Sequence, residues 1–230
     1  MSIFSKLTEK PWLAQPEGQD AALQYLPDDV WPQRTALKFL LAVISVLFSL
    51  FIVTMLGRSQ LPDFQVLAGE PWLPLSDRTS LWLNSAILLG SSLCMQCAQW
   101  FARQQRDNAV LAALAAAVAL VMLFLFAQYR LWLQLADAGF GFTDTAASNY
   151  FYLLTALHGA HLLGGVIALL PAFWQLAKGG TATLAKTLIL CCWYWHYLLL
   201  LWLLLFWLLS SPAQTINTLA ALCGFGEANL

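Results

Sequence analysis

An all-α, polytopic membrane protein, a bundle of five transmembrane helices, is the fold this 230-residue chain predicts. Its residues are 60% hydrophobic and only 10% charged, against roughly 25% charged in an average soluble domain. Five apolar runs, at about 37–57, 80–101, 110–133, 147–176 and 184–209, approach or exceed the ~20 residues an α-helix needs to cross a bilayer. The connections are short, so the spans make one membrane domain over residues 36–210, with an arm at 1–35 and a short tail at 211–230. A net charge of −1 leaves no basic field for nucleic acid as a partner.

The arm is mildly acidic, with Glu9, Glu17, Asp20, Asp28 and Asp29 against Lys6, Lys10 and Arg34, and Trp12 and Trp31 are candidates for the membrane interface. The first apolar run follows about 35 mostly polar residues, too late for a charged n-region leading into the core of a signal peptide. Basic residues set the expected orientation. Lys6, Lys10, Arg34, Lys38, Arg103, Arg106, Lys178 and Lys186 fall on one side, and only Arg58, Arg78 and Arg130 on the other. That asymmetry predicts a cytoplasmic N-terminus and a C-terminus on the outer side, consistent with an odd number of spans.

The first span carries Ser45, Ser49 and Thr54 as its few polar groups, and hydroxyls of this kind bond back to their own helix. The loop after it, 58–78, holds Pro62, Pro71, Trp72 and Pro74 and reads as an irregular lid. The second span is unusually polar, with Asn84, Ser85, Ser91, Ser92, Gln96 and Gln99. Serine lets helices approach closely, and Asn and Gln hydrogen-bond between them. The third is Ala-rich, then bulky, and ends in Gln128-Tyr129-Arg130, the last placed to snorkel to the interface. The fourth shows small residues four apart, Ala156, Ala160, Gly164 and Ala168, a spacing by which helix backbones pack closely in lipid. His158, His161 and Gly165 lie on an adjoining face. Asp144 or Thr143 is the expected cap of this helix, and Pro171 is expected to kink or weaken it. The fifth carries Trp193, Trp195, Trp202 and Trp207, with Trp195, Trp202 and Phe206 on one face, a pattern that fits packing or lipid contact.

All three histidines, His158, His161 and His196, lie in the last two spans, where an ionisable side chain is costly and marks a function or a packing device. Imidazole is a common ligand for iron and copper, and residues three apart share a helix face. A metal or haem site is therefore one reading, and polar packing between helices is the other. Against the first, only one helix carries two histidines, and they are too close together to serve two haems. The spans also lack Asp or Glu to complete a metal site. Cys94 and Cys97 form a CxxC inside a span, where two small side chains on one face are a simpler reading than redox chemistry. Cys191 and Cys192 read as structural, and Cys223 as an exposed thiol. No phosphate loop, nucleophile–base pair or paired carboxylates are present, so no catalytic residue is assigned.

Four motifs, in order over about 130 residues, resemble subunit III of the haem-copper terminal oxidases. Phe151-Tyr152, Thr155-Ala156, His158-Gly159-Ala160-His161 and Gly165 follow that family's aromatic pair, Thr-Gly, His-Gly-x-His and later Gly. Asp144 falls where the family often has an acidic loop residue. Trp193-Tyr194-Trp195-His196 matches its terminal Trp-Tyr-Trp-His, with Trp202 at the later tryptophan. Leu83-Asn84-Ser85 through Ser91 resembles its Leu-Asn-Thr…Ser helix, and Gln128 its glutamine near the end of the next span.

Five spans resemble the short form of that family, found in bacterial oxidases including quinol oxidases. The resemblance implies a non-catalytic subunit in the bacterial inner membrane. It carries no cofactor of its own, has subunits I and II and membrane phospholipids as partners, and haem and copper sit in the partner catalytic subunit. It makes His158, His161, His196, Trp195, Trp202, Gln128, Asn84 and Gly165 the candidate structural, partner-contact or lipid-contact residues. Three departures stand out: Ser45, Leu131 and Leu199 occupy positions where the family often has membrane acids. Their absence argues against direct proton handling. An accessory subunit of a nitric-oxide reductase system is an alternative within the same resemblance. A membrane cytochrome or metalloprotein using the three histidines is an alternative of another class. A transporter fits less well, because no internal repeat and no buried acid is present.

Overall fold

The computed structural model describes residues 31–64, 66–68, 75, 79–177 and 181–225. Residues 1–30 of the acidic arm, Trp12 among them, and Pro71, Trp72, Pro74, Arg78 and Lys178 lie outside the described residues. Six helices follow one another: α1 (Trp31–Arg58), α2 (Thr79–Arg103), α3 (Asp107–Asp137), α4 (Ala146–Ala177), α5 (Thr181–Leu209) and α6 (Ala213–Leu222). The first five are long and apolar enough to cross a membrane. Each begins or ends a few residues beyond the apolar run that predicted it, because a helix continues through the polar residues of the interface until a cap or breaker stops it.

The stops are local chemistry. At the end of α2 the Arg106 N–H reaches the Phe101 carbonyl (3.2 Å) and the Gln105 N–H that of Ala102 (3.2 Å), with Gln105 at a φ of 56°. The same double bond closes α3, where Gly139 takes the positive φ (84°) and the Phe140 N–H bonds to Leu135 (2.9 Å). This is the left-handed C-terminal cap, which glycine adopts without penalty. The N-terminal cap of α4 is Thr145 rather than Asp144 or Thr143. The Ser148 N–H donates to Thr145 Oγ1 (3.1 Å), and the Thr145 N–H returns the bond to Ser148 Oγ (3.2 Å). Asp144 is engaged elsewhere, accepting the Gly141 N–H at 2.6 Å. Pro171 lies inside α4, which continues past it to Ala177.

Helices α2, α3, α4 and α5 pack in a ring, α2 on α3 and α5, α4 on α3 and α5. Their core is filled by large side chains at full burial, among them Leu88, Met95, Leu114, Phe124, Leu154, Leu162, Trp195 and Trp202. Within the compact unit that begins at Phe39, α1 stands outside this ring and is tied to it by side chains. Ser45 Oγ and the Tyr197 hydroxyl of α5 are 2.9 Å apart, and the Phe48 and His161 rings 5.6 Å. The expected tail contains a ten-residue helix, α6, whose Ile216 and Ala220 are buried beside Leu56 of α1. It was not legible as a helix because its apolar face spans only about two turns.

One expectation reverses. The four small residues of α4, Ala156, Ala160, Gly164 and Ala168, face outward and are exposed. The face of α4 that enters the ring carries Leu154, His158, Leu162, Gly165 and Leu169, all buried. The four-helix interior is wide enough to take those bulkier groups, so the small stripe is not what closes the bundle.

Candidate functional site

The polar groups of the ring form a ladder of contacts between helices. In one layer, Asn84 Nδ2 of α2 donates to Gln128 Oε1 of α3 (2.9 Å), and Trp202 Nε1 of α5 donates to Ser85 Oγ of α2 (3.0 Å). His158 of α4 lies with its ring 5.4 Å from Trp202 and 6.0 Å from Phe124, while Phe124 meets Trp202 edge-on at 4.7 Å. Four helices thus contribute to one layer. Residues four apart share a helix face, so Phe124 and Gln128 enter it together.

A second layer joins α5, α2 and α3. Trp195 Nε1 donates to Ser91 Oγ (3.0 Å), whose proton goes on to the Ala117 carbonyl (2.8 Å). A third joins α3 and α4, where Trp132 Nε1 donates to Thr155 Oγ1 (3.1 Å) and the Tyr152 hydroxyl to the Trp132 carbonyl (3.0 Å). Interhelical bonds of this kind contribute about 0.6 kcal/mol each on average, up to ~1.7. The ladder therefore orders the helices more than it drives their association.

The three histidines stand in three different surroundings. His158 is fully buried, and neither ring nitrogen has a hydrogen-bond partner; Gln128 Nε2 is likewise buried without one. His161 Nδ1 donates to the Leu157 carbonyl of its own helix at 2.7 Å, and its ring faces Phe48. His196 lies on the α5 surface, where Nδ1 accepts from Ser92 Oγ of α2 (2.5 Å) and Nε2 donates to Gln96 Oε1 (3.1 Å). Among the described residues no group of three or more His, Cys, Asp or Glu side chains is placed to hold a metal ion. All five cysteines are free thiols.

At Gly165, α4 comes close to side chains of α5. A Cβ there would lie 2.9 Å from Tyr194 Cε1 and 3.0 Å from Trp195 Cζ3. Tyr194 completes the contact by donating its hydroxyl proton to the His161 carbonyl (3.0 Å). The motif residues His161, Gly165, Tyr194 and Trp195 therefore form one junction, although the sequence offers them as two separate signatures. Ser92, Gln96, Cys192 and Tyr197 were not singled out as site residues. The signal was present in the polar face of the second span, but pairing it with His196 needs the antiparallel register of α2 and α5. Asn84→Leu is expected to cost about 1–3 kcal/mol, because it leaves both ends of the buried Gln128 amide unpartnered. Thermal denaturation in detergent checks it, and Asn84→Leu with Gln128→Leu is expected to recover most of the loss.

A cavity of about 770 Å³ opens at the end of the bundle that carries the α1–α2 and α3–α4 loops. Phe51, Leu153 and Tyr150 line it together with Arg58, Asp63, Thr143, Asp144 and Asn149. Arg58 pairs with Asp63, and hydrogen bonding from the guanidinium holds the Asp63 carboxyl below its usual value, so the pair stays charged at neutral pH. A cavity with apolar side chains next to a charged pair matches an amphiphile in chemistry.

The sequence signature of cytochrome c oxidase subunit III matches residues 34–211, all of the long-helix bundle but the first three residues of α1. The chain is 28% identical over 192 residues to the probable cytochrome c oxidase subunit 3 of Rickettsia prowazekii, covering 76% of this chain and 68% of that one. It is 30% identical over 128 residues to the corresponding Rickettsia felis protein, covering 54% and 45%. It is 29% identical over 129 residues to the cytochrome bo(3) ubiquinol oxidase subunit 3 of Buchnera aphidicola, covering 56% and 63%. The matches thus span about half to two-thirds of these relatives' own lengths.

Proposed function

The chain belongs to the cytochrome c oxidase subunit III family, and from that premise we propose that it is the non-catalytic subunit III of a respiratory haem-copper oxidase. In this reading it supports the catalytic subunit structurally and through bound phospholipid, with subunits I and II as partners and haem and copper in the catalytic one. It lies in a bacterial inner membrane with its N-terminus cytoplasmic. The acidic arm at 1–35 and the tail at 211–230 flank the membrane domain on opposite sides.

One observation carries the reading. The bundle's polar side chains bind helix to helix, as in Asn84–Gln128, Trp202–Ser85 and Trp195–Ser91, instead of converging on a common centre. Such an interior positions helices, as a supporting subunit requires. Relatives named for both cytochrome c and ubiquinol oxidases match the chain, and in this reading the electron-donor site lies on the partner subunits.

His161→Ala is expected to weaken recovery of the complex, because the imidazole packs between α4 and Phe48 of α1. The haem spectrum per haem-bearing subunit should stay unchanged, as measured on purified complex. A haem band that disappears while the haem-bearing subunit is still present would overturn the proposal. Phospholipid is assigned to the cavity beside Arg58. Arg58→Glu is expected to lower phospholipid retention, because it replaces the cavity's cation with a second acid beside Asp63, as counted by mass spectrometry of the complex.

A further inference from the structure

Rests of polar chemistry on the membrane face of α2 and α5 point to a partner. Gln96, His196 and Cys97 are exposed on that face. Around them lies an apolar surface of Leu93, Trp193 and Leu200, each more than half exposed. His196 lies 13 residues from the Leu209 end of α5 and 15 from the Thr181 end, about 20 Å from either at 1.5 Å per residue. Gln96 lies seven residues, about 10 Å, from the Arg103 end of α2. By these lengths both fall within the ~30 Å hydrocarbon thickness of a bilayer that α2 and α5 are long enough to cross.

The hydrogen bonds within this cluster have a direction. Cys192 Sγ donates to Gln96 Oε1 at 3.0 Å, and His196 Nε2 donates to the same oxygen at 3.1 Å. Because Nε2 faces a carbonyl oxygen, which can only accept, the ring carries a proton there, and Nδ1 lies 2.5 Å from Ser92 Oγ. Cys192 Sγ also lies 3.3 Å from His196 Nε2, so Cys192 and His196 contact each other as well as the Gln96 carbonyl. The Gln96 amide nitrogen, with two protons, has no hydrogen-bond partner among the described residues. In lipid, an amide donor without an acceptor costs several kcal/mol, and acyl chains supply none.

We propose that this α2–α5 face is the docking surface for a transmembrane helix of the haem-bearing subunit, which presents a hydrogen-bond acceptor to Gln96 Nε2 at the depth of His196. The inference rests on the proposed oxidase function. The donor-only edge of Gln96 selects the chemistry of the occupant: a backbone carbonyl freed by a kink, a hydroxyl or a carboxylate. Leu93, Trp193 and Leu200 supply the apolar contact around that bond.

The test is photo-crosslinking in the intact complex in its native membrane, with the reactive amino acid placed at Leu93 or Leu200, and at Val46 on exposed α1 as the comparison. Crosslinks from Leu93 and Leu200 to the haem-bearing subunit are the expected result. Crosslinks from them only to lipid or to a second copy of this chain overturn the docking surface. If the haem-bearing subunit crosslinks through Val46 alone, the surface is wrong while the oxidase reading stands. If no haem-bearing subunit accompanies the chain at all, both fall. Gln96→Leu, which removes the donors, is expected to lower haem recovered per chain about threefold or more, from the ~0.6–1.7 kcal/mol of an interhelical polar contact; unchanged recovery also overturns the proposal.

Discussion

Trp202→Ala is expected to cost about 3–5 kcal/mol, the range for truncating a fully buried Trp. Trp202 is 1% exposed and stands where the four ring helices meet. Its loss would remove the ring partner of His158 and Phe124 and leave the Ser85 hydroxyl without its donor. Because the surrounding groups come from four helices that also hold one another through other layers, they can collapse only partly into the space. Lipid tails are as apolar as the core, so the loss is one of packing and hydrogen bonding rather than of water exclusion. Trp202→Phe should lie well below this, near 1–2 kcal/mol, since it keeps a ring and loses chiefly the bond to Ser85. Denaturation of the purified chain or complex in detergent separates the two. Equal effects for Ala and Phe would mean that the hydrogen bond, and not the ring, holds the layer.

Gly165→Val is expected to destabilise the α4–α5 junction by about 1–3 kcal/mol or more, the usual cost of overpacking. The first added carbon alone meets Tyr194 and Trp195 at or below 3.0 Å. Tyr194 is anchored by its hydroxyl on the His161 carbonyl and Trp195 by its indole on Ser91, so neither ring swings away without breaking a bond. Gly164→Val makes the matching control, since nothing lies within 4 Å of a Cβ there. The same denaturation measurement should show a large shift for Gly165 and little for Gly164. Similar shifts at both would place the cost in the helix backbone instead of the junction.

The spans were legible because lipid imposes a single rule, about 20 apolar residues per crossing, and the five runs obey it. Family membership was legible because its motifs keep their order. Which face of each helix turns inward was not. Ala156, Ala160, Gly164 and Ala168 form a regular small stripe, yet the ring takes the opposite, bulkier face. A stripe shows where a helix can be approached closely, and says nothing of what approaches it. His158 and His161, three residues apart, part ways for a similar reason. One enters the four-helix interior against Trp202, and the other turns to α1. Register decided the rest: Ser92 and Gln96 meet His196 only because α2 and α5 run antiparallel at a particular offset. The cavity beside Arg58 gathers loop residues from 63 and 142–145 with helix residues of α1 and α4, and no local pattern announces such a meeting.

Purification of this chain from its native membrane in mild detergent, with mass spectrometry and a reduced-minus-oxidised spectrum, tests the assignment most directly. A large haem-bearing subunit should accompany it, and the haem signal should leave with that subunit when it is stripped away. A chain that purifies alone and keeps a haem or metal of its own would contradict the scaffold role and return His158, His161 and His196 to the chemistry.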